Sequence, residues 1–175
     1  MPVTFAEFQA AAPEIGGFAR QRIEATGLSF VATTRSDGWP RASGWEVFLS
    51  DSSLYVGSMP AAVKVKDVRR DPRCCVITPL ADKDDQSGEA KLFCHAREVD
   101  TVEEWERVRT AFRDQRGFDP LGDFGGSHLF EMRIASAAWS RVEGDEQFVI
   151  TSWTERQPVR TRKRVGALGL PEEVT

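Results

Sequence analysis

Between residues 28 and 58 the sequence reads LSFVATTR, SDGWP, RASGWEVFLS, Asp51, SSLYVGS. Three stretches rich in β-branched and aromatic residues are separated by an Asp-Gly turn and by a tight polar turn, so this segment has to fold as an antiparallel meander. RCCVITPL, AKLFCHAREVD, SHLFEMRIASAAWSRV and QFVITSW carry the same signature further along the chain. Hairpin turns rather than regular helices separate most of these strands, which argues against a parallel α/β sheet.

Helical spacing occupies the gaps. Thr4 stands three residues before Glu7, the spacing of a capping box, and Phe5, Phe8, Ala12, Ile15 and Phe18 recur down to Gly27. Residues 4–26 are therefore expected to be helical, divided or restarted at Pro13. Thr101 and Glu104 repeat the box signature before Trp105, Val108 and Phe112, and Gly117 ends that pattern. With a helix in Ser58–Arg73, the expected fold is mainly β with α: a small barrel of six to seven antiparallel strands with three helices.

At 175 residues the chain is long enough for one domain and at most a small second one. We read residues 1–155 as the barrel with its N-terminal helix, and residues 156–175 as a C-terminal tail without periodicity. The basic residues of that tail, Arg156, Arg160, Arg162, Lys163 and Arg164, read as a solvated terminus or as a group reaching an anionic ligand across a dimer. A formal net charge of −4 argues against bulk nucleic-acid binding. Cys74, Cys75 and Cys94 are odd in number and form no CxxC pair, so no disulfide framework is expected. Cys74 and Cys75, being adjacent in a strand, point to opposite faces. His95 and His128, the only histidines, have no third ligand at a diagnostic spacing, so no metal site is expected. The N-terminus does not read as a signal peptide, and no apolar run approaches the roughly 18 residues of a membrane span. A cytoplasmic location is expected.

Five basic residues fall within Ser58–Arg73 of this acidic chain. On a helix starting there, Ser58 is a plausible N-cap and Pro60 suits the first turn. Ala61, Val65 and Val68 share an apolar stripe, while Lys66, Asp67 and Arg70 fall on the side expected to face water. Lys64 and Arg69 border the stripe, where a long side chain can lay its stem on the core and deliver charge to a cleft. A helix start with Ser58 and Lys64 suits a phosphate. A capped helix with a snorkelling lysine satisfies the same spacing.

The segment DGWPRASGWEVFLSDSSLYVGSMPAAVKVKDVRRDPRCCVIT resembles the split β-barrel proteins of the pyridoxamine 5′-phosphate oxidase-like superfamily. Gly38 and Pro40, Leu54 and Tyr55, Lys64-Val65, Asp67-Val68 and Asp71-Pro72-Arg73 match that pattern in order. The resemblance implies a homodimer with FMN or the deazaflavin coenzyme F420 in the groove between subunits. It also implies that Ser58, Met59 and Lys64 hold the cofactor phosphate while Ser43, Gly44 and Trp45 line the ring. Trp45 as an ordinary core aromatic is the other reading of that position. Val63 stands where the oxidases carry a second basic residue, and PVRTRKRVGALGLP is not their arginine motif. The deazaflavin-type branch therefore fits better than vitamin B6 chemistry. The implied activity is an F420H2- or FMN-dependent reductase passing hydride to a small organic acceptor. No catalytic residue is implied, because the cofactor carries the chemistry. The competing reading is a non-catalytic module that binds a flavin or haem.

Overall fold

The computed structural model describes residues 1–144, 147–164 and 169–174. Two helices open the chain, α1 (Phe5–Ala11) and α2 (Pro13–Thr26). The expected capping box is formed: the Glu7 amide donates to Thr4 Oγ1 at 3.3 Å, and the Thr4 amide donates to Glu7 Oε2 at 2.8 Å. Pro13 starts α2, and Gly27, at φ 65°, turns the chain out of it. The meander follows as β1 (Leu28–Thr34), β2 (Pro40–Ser50) and β3 (Ser53–Ser58). Then come α3 (Val63–Arg70), β4 (Arg73–Ile77), β5 (Glu89–Glu98) and α4 (Val102–Arg116), with α4 capped by Thr101 and ended by Gly117 as expected. The long β6 (His128–Glu143) is followed by β7 (Gln147–Thr154), β8 (Gln157–Arg164) and the short β9 (Glu172–Val174).

The strands form one antiparallel sheet in the order β3-β2-β1-β4-β5-β6-β7-β8-β9, and pairing of β3 with β6 closes its first six strands into a barrel. The first part of β6 pairs with β3 and its second part runs beyond the barrel to pair with β7. Among the described residues there are thus nine strands and four helices where six to seven and three were expected. Pro13 accounts for the extra helix. The extra strands lie in the tail, where the aperiodic reading missed β8: its residues ladder onto β7 from Phe148↔Arg164 to Thr154↔Gln157. No helix among the described residues is long and apolar enough to cross a membrane.

Alternation along the strands sorts the barrel into two faces. Val31, Trp45, Val47, Leu54, Val56, Val76, Leu92 and Met132 point inward and pack with Phe5, Phe8, Ile15 and Ile23 of α1 and α2 and with Val65 and Val68 of α3. A second core lies outside the wall, where α4 lays Trp105, Val108 and Phe112 on Phe48, Tyr55 and Leu129. The rest of the outer wall is less covered. By register, Phe30, Gly44 and Ile77 form one outward row and Ala32, Ala42, Cys75 and Phe93 the next. Leu28, Phe30 and Phe93 there are 53%, 54% and 44% exposed.

Helix α3 departs from expectation at its start. Ser58 is the last residue of β3, held extended opposite His128 of β6, so it cannot cap the helix. The chain turns through Ala61, at φ 60°, and Ala62 caps the helix without a side-chain hydrogen bond. Pro60 accordingly lies before the first turn. Asp67 is also not on a solvated side: it is 3% exposed. Arg41 Nε of β2 donates to its Oδ2 at 2.5 Å, Thr33 Oγ1 of β1 approaches at 3.4 Å, and Arg70 lies 3.5 Å from Oδ1. Two strand residues claim this carboxylate, which no spacing within the helix reveals. Burial pushes the Asp67 carboxyl up, but hydrogen bonding and charge from Arg41, helped by Arg70, outweigh it and hold the group below its ordinary 3.8. A lowered carboxyl stabilises the fold above that range and loses the contribution as pH falls through its folded value. Asp67→Ala is expected to cost about 2–3 kcal/mol in urea unfolding near pH 7, with the gap to wild type narrowing as pH falls below the ordinary 3.8 and through the lowered folded value.

Candidate functional site

A pocket of about 280 Å3 lies against the outer wall where β2, β3, α3 and α4 converge. Its floor is backbone, at Gly44 of β2 and Gly57 of β3. A side chain on Gly57 would bring its first carbon to 3.1 Å from Leu121 Cδ2, whereas Gly44 has open space in front of it. Phe112 of α4, with Pro120 and Leu121 of the following loop, makes one wall. Leu28 and Glu46 make another, and Ser58, Met59 and Lys64 close the end nearest α3. Leu28 and Gly44 belong also to the exposed outer face, so the pocket opens onto it.

Lys64 reaches this pocket as its border position on the helix requires. Its Nζ sits 4.2 Å from the centre of the Trp45 ring and donates to the Gly44 carbonyl at 3.2 Å. Burial lowers the amine's pKa from the ordinary 10.5. Ser58 Oγ is buried with no hydrogen-bond partner among the described residues. Met59 is 78% exposed at the rim. Trp45 lies inside the barrel at 2% exposure, edge-on to Phe130, and its indole Nε1 donates to Ser43 Oγ at 3.0 Å. Of the six residues singled out from sequence, Gly44, Trp45, Ser58, Met59 and Lys64 line one pocket. Ser43 stands behind it, holding the indole.

Leu28, Glu46, Gly57, Phe112, Pro120 and Leu121 were missed. Gly57 carried a weak local signal, a glycine within a strand pattern, which marks a close approach. Leu28 and Glu46 flank the floor as partners across β1 and β2, while Phe112, Pro120 and Leu121 reach the pocket only because α4 packs on the barrel wall, and their sequence neighbourhood holds no sign of it.

The other candidate groups are arranged for structure. Arg69, the second border residue of α3, is committed to Glu98 through bonds of 2.8 and 2.5 Å. His128 Nδ1 lies 3.3 Å from Glu98, whereas His95 stands opposite Arg73 on the outer wall. Among the described residues no three His, Cys, Asp or Glu side chains come together as a metal site. Cys74 and Cys75 do point to opposite faces, and burial pushes their thiols up to about 12 and about 11, so neither is a ready nucleophile at neutral pH. A roomier hollow of about 470 Å3 beside Glu131 is lined by Arg97, Arg107 and Arg133 together with Asp51 and Glu104. Its charges neutralise one another.

No family model matches the sequence, and no curated protein matches it. Solved structures do resemble the fold. Campylobacter jejuni ChuZ superposes with a TM-score of 0.68 at 13% identity, over 93% of this chain and 67% of that one. HutZ, the haem storage protein of Vibrio cholerae, gives 0.57 at 18% identity over 71% of this chain and 89% of its own. A Clostridium acetobutylicum protein related to general stress protein 26, of the pyridoxinephosphate oxidase family, gives 0.57 at 10% identity over 79% and 93%. With its six-stranded closed barrel extended by further strands, and with these likenesses, the chain has the split β-barrel fold of the pyridoxamine 5′-phosphate oxidase-like proteins.

Proposed function

We propose that this chain binds FMN or coenzyme F420 in the Gly44–Gly57 pocket and uses the reduced cofactor to deliver hydride to a small organic acceptor. The observation that carries the proposal is the pairing, at one end of a backbone-floored pocket, of a part-buried amine with a buried hydroxyl that lacks a partner. A buried polar group without a partner is costly, and a phosphate oxygen would satisfy Ser58 while countering the charge of Lys64. The bare floor at Gly44 suits close approach of a planar ring. These residues fit a flavin phosphate.

When bound, the reduced cofactor supplies the hydride. The protein's own part is to hold and orient. Lys64 is fixed in advance by the Trp45 ring and the Gly44 carbonyl, so little side-chain freedom remains to be lost on binding. Phosphate beside it would raise the amine's pKa again and keep it cationic. Phe112, Pro120 and Leu121 exclude water from the opposite wall.

A pocket of about 280 Å3 falls just below the roughly 300–1,000 Å3 of complete small-molecule sites. It opens onto an apolar outer face carrying Leu28, Phe30, Ile77 and Phe93. A second copy seated on that face would cover the apolar surface and complete the site, so a homodimer is part of the proposal. Phe30→Asp is expected to shift the chain to monomer in analytical ultracentrifugation at micromolar concentration, and to weaken cofactor binding with it. Three free cysteines agree with a reducing, cytoplasmic setting.

The likeness to HutZ supports a second reading, haem binding without catalysis. Among the described residues the pocket lining holds no His, Cys or Tyr, and its one thioether, Met59, is 78% exposed at the rim with no histidine beside it to complete a haem site, which favours the flavin reading. Parallel titrations with FMN and F420, followed by tryptophan quenching, test the proposal. Tight binding of F420 alone makes the protein a deazaflavin reductase, and of FMN alone a flavin enzyme; binding of neither removes the cofactor claim. Reoxidation of the bound, reduced cofactor only when an acceptor is added separates an enzyme from a carrier.

A further inference from the structure

Strand β8 concentrates positive charge at the rim of the sheet. Arg160, Arg162, Lys163 and Arg164 fall within five residues of a chain whose net charge is −4. One long edge of β8 is laddered onto β7 over most of its length. Among the described residues its other edge is covered only by the three residues of β9, all of them exposed. Without β9 that edge is a row of unpaired amides and carbonyls, which is a template for an added strand.

What lies on the edge now indicates what it accepts. In the β8–β9 register Glu173 stands directly opposite Arg162, and Glu172 directly opposite Lys163. Glu173 also approaches Arg160 at 3.6 Å. Opposite charges facing each other across an antiparallel pair favour that pairing, whereas like charges oppose it. Glu173 therefore meets a cation at Arg160, whereas Lys163, opposite Glu172, is held by Glu143 at 2.9 Å, and Val174 opposite Thr161 adds a half-exposed apolar contact. None of the β9 side chains is buried, so packing contributes little to holding the strand in place.

We propose that β9 is a displaceable cover, and that the β8 edge beneath it is a docking site for an acidic, extended peptide segment of a partner protein, which adds as a strand in place of β9. The intramolecular strand competes at the millimolar effective concentration typical of a short tether, so it gates the edge rather than blocking it. Nothing in this depends on the cofactor pocket, which lies on the other side of the barrel sheet order, at β2 and β3.

Two measurements on the full chain test it. In wild-type protein, amide hydrogen exchange should be at least about a hundredfold faster for β8 amides that face β9 than for those that face β7. Equal protection on both edges would make β9 a permanent strand and overturn the proposal. The second uses a synthetic peptide, LPEEV, as the probe, read by chemical-shift changes in labelled protein. In the double variant Glu172→Lys, Glu173→Lys the tethered strand is repelled from β8, and LPEEV should bind at least about tenfold more tightly than it does to wild type, with shifts confined to Thr161–Arg164. The same peptide with both glutamates replaced by lysine should not bind. Equal binding of the two peptides, shifts elsewhere, or no gain in the double variant would each overturn the proposal.

Discussion

Replacing Trp45 by alanine is expected to lower the unfolding free energy by about 3–5 kcal/mol, the cost of deleting a large aromatic from a packed core. The indole is 2% exposed, lies edge-on to Phe130 and donates to Ser43 at 3.0 Å. Typical domains hold about 5–15 kcal/mol in all, so this change removes a large fraction. For a chain of this size it corresponds to a fall in Tm on the order of 10 °C. Trp45→Phe keeps most of the volume and the face beneath Lys64, and should cost less than about 2 kcal/mol. The sequence allowed two readings of Trp45, a platform for a flavin ring or a core residue, and thermal unfolding of the two variants separates them. A platform would leave Tm nearly unchanged in Trp45→Ala while abolishing binding. A core residue that also seats Lys64 lowers Tm first.

Arg97→Met should also destabilise strongly, by about 3 kcal/mol, and its effect should depend on pH. Glu131 of β6 is 4% exposed. It is satisfied by Ser53 Oγ at 2.6 Å and by Arg97 Nε at 2.8 Å, with Arg133 further off at 3.7 Å. Removing Arg97 leaves a buried carboxylate without its close cation, a loss of about 3–5 kcal/mol when both partners are buried. The low end applies, because the guanidinium is half-exposed and water screens it. Arg97 also donates to both oxygens of Glu104, at 3.0 and 2.5 Å. Those bonds hold the Glu104 carboxyl below its ordinary 4.5, against the opposing push of burial. A lowered carboxyl stabilises above the ordinary value and stops doing so as pH falls through its folded value. The gap between wild type and Arg97→Met should therefore be widest near neutrality and narrow as pH falls below the ordinary 4.5 and through the lowered folded value. Adding Glu131→Leu should recover part of the loss, because it removes the stranded charge. A constant gap from pH 7 to pH 3 would show that packing of the arginine stem, not its charge, carries the effect.

What could be read from sequence was local. Thr4 with Glu7, Pro13, Gly27, Thr101 and Gly117 mark helix ends through bonds made within a few residues, and all stand where expected. The border position of Lys64 followed from helical periodicity and was equally legible. The departures are long-range. Ser58 leaves the helix because β6 claims it for the sheet, at His128, seventy residues away in sequence. Asp67 is buried because Arg41 and Thr33 come to it from two strands. β8 escaped notice because QPVRTRKR lacks the apolar alternation of a half-buried strand: no residue in it is fully buried, and backbone pairing to β7 makes it a strand. Leu121 lines the pocket beside Gly57, more than sixty residues away in sequence, where an added side-chain carbon on the glycine would come within 3.1 Å of it. The half of the site built from β2, β3 and α3 was in the sequence pattern; the half built from α4 and its following loop was not.

The central claim is that Lys64 holds the phosphate of a flavin-type cofactor in this pocket. The most direct measurement is the dissociation constant of the better-binding cofactor, FMN or F420, for wild type and for Lys64→Ala under one buffer and salt condition, with Tm recorded alongside. One charge-assisted hydrogen bond contributes about 1.5–3 kcal/mol, which is roughly ten- to a hundredfold in affinity. The account predicts at least a tenfold weakening in Lys64→Ala with Tm essentially unchanged. Equal affinity in the two proteins would contradict it, and would return Lys64 to the role of a side chain resting on Trp45.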